Sequence, residues 1–385
     1  EKLLAMIQDQ LMKKRIHDLP LHHGQFKSLA EAVFAEVIGL NVLEIILKDR
    51  EDLEEIQVVG TTIFEVRNGQ ACLSPHRFAS LKEVERIQQN LVLFNNDTMN
   101  RKKRWAEAML SDGSRVTLTG FGFTQEPTLT IRFYTVRQFR LEALCRPEFA
   151  TINEIMKEIL LAVIRSYFNI VIIGATNTGK TQLMKSMIAE MPDNERIVTI
   201  ESRFELMLKR DFPEKNIIEY EVDESDVWHS SRQAFKLALR QSPKRIIHAE
   251  IRDEDANIYV RACTRGHEGS MTTVHVNELE DAPEAITDMC MLDQRGMNPE
   301  RLVKRITEYV TQIGIEMAVV QGKRKVVRIA EFSYLQGEVR VQDIVRYDYL
   351  QHQWKLSGKF SAKAAYRIQK HDPQGYAKLK ALHIV

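Results

Sequence analysis

Residues 174 to 181 read Gly174-Ala175-Thr176-Asn177-Thr178-Gly179-Lys180-Thr181, which satisfies the phosphate-loop pattern G-x-x-x-x-G-K-[ST] at every fixed position. Two glycines let the backbone curl until successive amides face an anion. Lys180 can then reach the β- and γ-phosphates of a nucleoside triphosphate, and Thr181 can place a hydroxyl on Mg²⁺. Together with Gln182, these residues form the candidate cofactor site, with ATP and Mg²⁺ as its ligands. A phosphate loop also needs carboxylates at neighbouring strand ends to orient metal and water. Glu250 follows the apolar run Arg245-Ile246-Ile247-His248-Ala249, and Glu201 follows Ile197-Val198-Thr199-Ile200. Both are catalytic candidates; Thr181 and Glu250 are the candidate metal residues, Glu250 through water. The segment 265–275 adds His267 and His275. Their spacing is not the helical i, i+4 of many metal sites, and polar residues alternating along a strand beside the loop suit a γ-phosphate sensor better.

The elements around these residues have the right order. The apolar run 168–173 predicts a buried strand leading into the loop, and 180–190 predicts a helix whose N-terminus faces the phosphates. Further strands are expected at 196–200, 245–249 and 270–275, with helices at 225–241 and 253–265 between them. That alternation predicts an α/β fold with a mostly parallel, doubly wound sheet, whose strand C-termini line the ligand crevice. Runs at 313–320, 325–334 and 338–346 read as a β-rich extension.

Upstream the periodicity differs. A helical segment covers 1–28, and Phe26, Leu29, Ala30, Val33, Phe34, Val37 and Ile38 recur at helical spacing. Strands are expected at 55–60 and 62–67, followed by the hairpin signal Asn68-Gly69. A helix at 80–96, a turn at Ser111 leading into a strand, and a strand at 128–133 complete a smaller α/β domain, placed at 29–143. Arg146-Pro147 marks a linker at 144–150, and the second domain runs 151–385.

Lys and Arg total 54 against 53 Asp and Glu, a net charge of +1, so no global field advertises nucleic acid or an acidic membrane. The cluster Arg101-Lys102-Lys103-Arg104 reads as a solvated face. Four scattered cysteines fit neither a zinc ribbon nor a disulfide framework and suit a reducing compartment. Neither a transmembrane helix nor a signal peptide is expected. The chain opens on Glu1, so its natural N-terminus is expected to lie upstream.

Four ordered motifs carry a family resemblance. After the phosphate loop come Thr199-Ile200-Glu201-Ser202-Arg203-Phe204-Glu205-Leu206, resembling an Asp box T-I-E-D-x-x-E-L, and 239–252, resembling the Walker B L-R-x-x-P-D-R-I-x-x-G-E-x-R. Gly266-His267-Glu268-Gly269-Ser270-Met271-Thr272-Thr273-Val274-His275 resembles a His box. Upstream, 39–46 and Asp112-Gly113-Ser114-Arg115-Val116 match further family segments. The chain resembles the ATPases of type II and type IV secretion and pilus assembly, and within them the tight-adherence pilus branch (CpaF or TadA), over about 30 to 350. Ser202 replaces the Asp of the Asp box, Ala249 the Walker B Gly, and Asp253-Glu254 a Gly pair. The resemblance implies a RecA-like ATPase domain covered by the N-terminal domain, with Arg115 and Arg132 reaching the phosphates as catalytic residues. A surface ion pair is the alternative for each arginine. It also implies a hexameric homo-oligomer in the cytoplasm, peripheral at the cytoplasmic membrane, working on inner-membrane platform proteins. Direct nucleic-acid binding is not expected. A nucleic-acid translocase and a weakly hydrolysing regulatory subunit are the alternatives.

Overall fold

In a computed structural model, residues 2–16, 26, 28–37, 39–50, 52–67, 69–95, 97–110, 112–133, 140–252, 255–292 and 297–385 are described. The chain divides into two units, Glu1–Val136 and Arg137–Val385. The division falls before the expected linker at 144–150. The reason is packing: Leu141 and Leu144, assigned by sequence to the first domain and the linker, are buried in the core of the second unit.

The first unit begins with helices α1 (Lys2–Lys13), α2 (Leu29–Val37) and α3 (Leu43–Ile46). Strands β1 (Leu53–Val59), β2 (Thr62–Arg67) and β3 (Gln70–Arg77) follow, then α4 (Leu81–Phe94), β4 (Trp105–Met109), β5 (Arg115–Thr119) and β6 (Thr128–Arg132). Among the described residues the six strands form an antiparallel sheet of order β3-β2-β1-β6-β5-β4. Alternation fills one face: Ile56, Val58, Val116, Leu118, Leu129 and Ile131 are buried with Val84, Ile87 and Leu91 of α4. Gln88 of α4, buried among them, donates to the carbonyls of Thr119 (2.9 Å) and Thr128 (2.7 Å), which tie the helix to the sheet. Gly69, at φ 75°, turns the β2–β3 hairpin; Asn68, like Ile38 and Ser111, lies outside the described residues.

The second unit opens with α5 (Leu141–Leu144) and α6 (Glu154–Arg165), then β7 (Ile170–Ile173), α7 (Lys180–Ala189), β8 (Ile197–Glu201), α8 (Leu208–Asp211) and β9 (Ile217–Glu221). It continues through α9 (Ser231–Ala238), β10 (Arg245–His248), α10 (Ala256–Cys263), β11 (Met271–Val274), α11 (Ala282–Met291) and α12 (Pro299–Tyr309). Strands β12 (Ile313–Val320), β13 (Lys323–Leu335), β14 (Glu338–Asp348) and β15 (Gln353–Leu356) precede α13 (Ala362–His371) and α14 (Pro373–Ala381). Among the described residues these strands make one nine-stranded sheet of order β15-β14-β13-β12-β7-β11-β10-β8-β9. The six strands from β12 to β9 run parallel, and β13 to β15 extend the sheet antiparallel.

Both faces are covered. Ile170 and Ile172 of β7 pack with α6 and α7, whereas Val171 and Ile173 pack with α10, α11 and α12 on the other side. The β-rich extension is therefore part of the central sheet. The helix expected at 225–241 is shorter than its composition suggests, because Asp223 accepts from the amide of Ser225 and Asp226 from that of Trp228, folding the start into turns. Asp253 and Glu254, where the helix expected at 253–265 begins, lie outside the described residues.

Candidate functional site

Four parallel strands deliver their C-terminal ends to one edge of the second unit, and the phosphate loop occupies the end of β7. Its backbone has three left-handed positions, Gly174 (φ 140°), Asn177 (φ 68°) and Gly179 (φ 93°). Gly174 is required on two counts: its φ, and the carbonyl oxygen of Met317, which would lie 2.3 Å from any Cβ there. Gly179 caps α7, so the following amides face the loop's concave side.

Lys180 is buried and folds back over the loop, donating to the carbonyls of Gly174 (2.7 Å) and Ala175 (3.0 Å). Burial holds its ammonium below the usual lysine range, against the opposing pull of Glu250 and Glu205. That places both carboxylates within electrostatic reach of Lys180. Thr181 donates to Glu205 Oε2 at 3.3 Å.

Glu250 sits just past β10, between two pins. The amide of Ala249 donates to Ile200, and that of Ile251 donates to Thr273. Thr273 Oγ1 also donates to the Ala249 carbonyl at 2.8 Å. The Glu250 carboxylate meets Arg252 Nη2 at 2.9 Å and His275 Nε2 at 3.0 Å. Half-burial works to raise its carboxyl, but the Arg252 hydrogen bond and the charges of Arg252, His275 and Lys180 outweigh this and hold it below the usual glutamate range. An ionised carboxylate therefore faces the loop lysine, bracketed by a guanidinium and an imidazole.

Glu201 differs from its expected role. It is 1 % exposed, and its Oε2 accepts from the amides of Glu205 (2.8 Å) and Leu206 (3.0 Å), while Oε1 has no hydrogen-bond partner. Burial raises its carboxyl to about 7. Glu201 thus braces the turn that carries Glu205, and it is Glu205 that reaches Thr181. The Asp-box pattern contained Glu205 as its last acidic residue, which was the available signal. Arg252 was likewise visible as the final residue of the Walker B-like segment.

The two histidines part company. His275 follows β11 and meets Glu250, but His267 precedes β11, beside the start of β7, at the opposite end of the sheet from the loop. Its carbonyl accepts from Ser270 Oγ at 3.0 Å, and the adjacent Glu268 pairs with Arg367 of α13 at 3.2 Å. A four-residue strand spans about 13 Å, so the structure does not bring His267 to the phosphate loop of its own chain.

In the first unit, the Asp112-Gly113-Ser114 turn, with Gly113 at φ 85° and Ser114 N donating to Asp112 Oδ1, starts β5 at Arg115. Arg115 is directly opposite Arg132 across β5 and β6, and Glu55 is opposite Arg132 on β1. Both arginines lie on the face turned away from α4, because Val116 and Ile131 take the buried face. Arg132 thus has Arg115 beside it on one neighbouring strand and Glu55 beside it on the other.

Residues 63–346 match the family described as "Type II/IV secretion system protein". The type IV secretion system protein VirB11 of Bartonella quintana (strain Toulouse) is 36% identical over 165 residues, covering 42% of this chain and 45% of that protein. The chain thus spans about half the length of the curated relatives it matches. Among solved structures, the ATPase DotB of Legionella pneumophila aligns with a TM-score of 0.56 at 18% identity, covering 95% of this chain and 90% of that one. The pilus retraction motor PilT, solved with bound ADP, aligns with a TM-score of 0.54 at 18% identity, covering 88% and 89%. At these identities the likeness speaks to the fold: an α/β chain with an N-terminal domain ahead of a RecA-like domain.

Proposed function

The chain belongs to the Type II/IV secretion system protein family, and we propose that it is a Mg²⁺-dependent ATPase, the motor of a protein-secretion or pilus machine. The observation that carries this reading is the convergence of Lys180, Thr181, Glu205, Glu250, Arg252 and His275 at one strand-end edge around an amide-lined loop. Lys180 neutralises the β- and γ-phosphates once they displace the Gly174 and Ala175 carbonyls from its ammonium. Glu250, held ionised, orients the attacking water and accepts its proton. His275 and Arg252 fix the Glu250 carboxylate and respond to charge on the γ-phosphate.

The donor set fits magnesium: the Thr181 hydroxyl and the nearby Glu205 and Glu250 carboxylates are hard oxygen ligands, usable directly or through water. Bound there, the ion would neutralise charge on the β- and γ-oxygens. Replacement of the family Asp by Ser202 leaves Glu201, Glu205 and Glu250 in place, so hydrolysis is retained. Arg115 and Arg132 act from the first unit on the developing phosphate charge, and the working state is a hexameric ring docked on inner-membrane platform proteins. Among the described residues no helix is long and apolar enough to cross a membrane. The tight-adherence branch is the finer assignment, supported by the Asp-box, Walker B and His-box likeness.

The test is phosphate release from ATP by the intact chain, with Mg²⁺ and with a chelator, beside Lys180→Ala. Release that needs Mg²⁺ and vanishes in Lys180→Ala supports the reading. Nucleotide binding without release would favour a regulatory subunit, and release that depends on added single-stranded DNA a translocase.

A further inference from the structure

The last of the four motifs ends at His275, yet one wall of the phosphate loop comes from well beyond it. Strand β12 accompanies β7 in parallel as far as Glu316 opposite Ile173. Between Glu316 and Met317 its pairing with β13 slips register, and past this bulge the Met317 carbonyl closes on Gly174. β13 then returns Arg324 to the loop. Arg324 Nε donates to the Asn177 carbonyl at 3.0 Å, and its Cδ would lie 3.1 Å from a Cβ on Gly179.

The strand carrying Arg324 is itself fastened on both sides. Lys323 Nζ donates to the Pro147 carbonyl at 2.8 Å, and Lys325 Nζ to the Ala150 carbonyl at 2.8 Å. The Val326 amide donates to Thr151 at 2.9 Å. Lys325 also lies over the Trp354 ring, 4.6 Å from its centroid. Arg324 therefore reaches the loop from a rigid support.

We propose that Arg324 is a positioning residue for the nucleotide, fastening the phosphate loop at Asn177 to the β12–β13 hairpin so that the loop is held open in its anion-binding curvature. This inference rests on the reading of the loop as a nucleotide site. Asn177 occupies the left-handed region, φ 68°, which asparagine tolerates but which remains sparsely populated, so an outside hydrogen bond selects it from the alternatives. A peptide unit is planar, so fixing the Asn177 carbonyl fixes the plane at the middle of the loop. The bond is charge-assisted, roughly twice as strong as a neutral one. Pre-setting the loop removes an ordering cost that each binding event would otherwise meet. Because the contact is with the loop and not with the reacting atoms, its effect falls on affinity.

The experiment compares wild type, Arg324→Met and Arg324→Lys in the intact chain, by equilibrium binding of a fluorescent ATP analogue and by steady-state ATP hydrolysis. Methionine keeps the stem that packs on Gly179 and removes the donor and charge; lysine keeps a charged donor. Arg324→Met is expected to raise Kd and KM about tenfold with kcat within about twofold, and Arg324→Lys to recover most of that loss. Unchanged affinity in Arg324→Met, a fall in kcat at unchanged KM, or a lysine variant as weak as the methionine variant overturns the proposal. If Arg324→Met does not fold, Arg324→Lys against Arg324→Gln reads the same contrast, with glutamine expected to be the weaker binder and equal affinities overturning the proposal. A wild-type chain that binds no nucleotide overturns the functional reading and this inference together; wild-type binding with no effect of Arg324→Met overturns this inference alone.

Discussion

Glu201 and Glu250 each close a strand of the same sheet, and their surroundings drive them in opposite directions. Burial raises Glu201 to about 7, whereas Arg252, His275 and Lys180 hold Glu250 below the usual range. The sign of the Glu201 effect follows from linkage. A carboxyl whose folded pKa exceeds its unfolded value near 4.5 contributes most to stability below 4.5 and loses that contribution as pH rises through about 7. The shift corresponds to on the order of 3 kcal/mol. Glu201→Gln, which can still accept from the Glu205 and Leu206 amides, carries no such charge. Its unfolding free energy relative to wild type should therefore grow in its favour from pH 5 to pH 8, by denaturant titration; a pH-independent difference would rule out a buried, raised carboxyl. The types and spacing of these two glutamates were legible in the sequence, but their division of labour was not. It depends on which carboxylate the Asp-box turn encloses, a property of packing that strand periodicity does not carry.

At the scale of elements, the site depends on two neighbouring parallel strands that are far apart in sequence. β7 ends at Ile173, opposite Glu316 of β12; just past the bulge in the β12–β13 pairing, the Met317 carbonyl leaves no room for a side chain on Gly174. Gly174→Ala should then strain a φ of 140° and drive a Cβ into backbone 2.3 Å away, so the loop must shift. We expect a loss of at least about 1–3 kcal/mol of stability and of nucleotide affinity together, measured by thermal melting and ATP-analogue binding. Normal binding would mean that the loop tolerates the displacement. The strand–loop–helix order around β7 and α7 was readable because apolar runs and glycines punctuate it. The place of β12 between β7 and β13 was not, since pairing order within a sheet is set by long-range contacts. The same limit explains His267: adjacency in one motif suggested a shared site, but β11 stands between the two histidines and carries them to opposite ends of the sheet.

At the scale of the whole molecule, the proposed function divides its candidate residues between the two units. The second holds the loop, the carboxylates and His275; the first offers Arg115 and Arg132 side by side across β5 and β6. If these act on the γ-phosphate from their own unit, Arg115→Ala and Arg132→Ala should bind ATP nearly as wild type does yet hydrolyse it at least about a thousandfold more slowly, with poor rescue by lysine. Unchanged turnover would return both to a surface role. The two-domain organisation was legible where a mixed α/β stretch gives way, past Arg146-Pro147, to regular alternation of helix and buried strand, whereas the packing of Leu141 and Leu144 in the core of the second unit was not, because it reveals itself only in the fold. The proposed ATPase activity of the whole chain turns on Glu250 orienting the attacking water. Binding and phosphate release measured side by side on wild type and Glu250→Gln test it most directly. Glu250→Gln is expected to retain ATP affinity within a few-fold while hydrolysis falls by about a hundredfold or more; release at the wild-type rate would overturn the role assigned to Glu250.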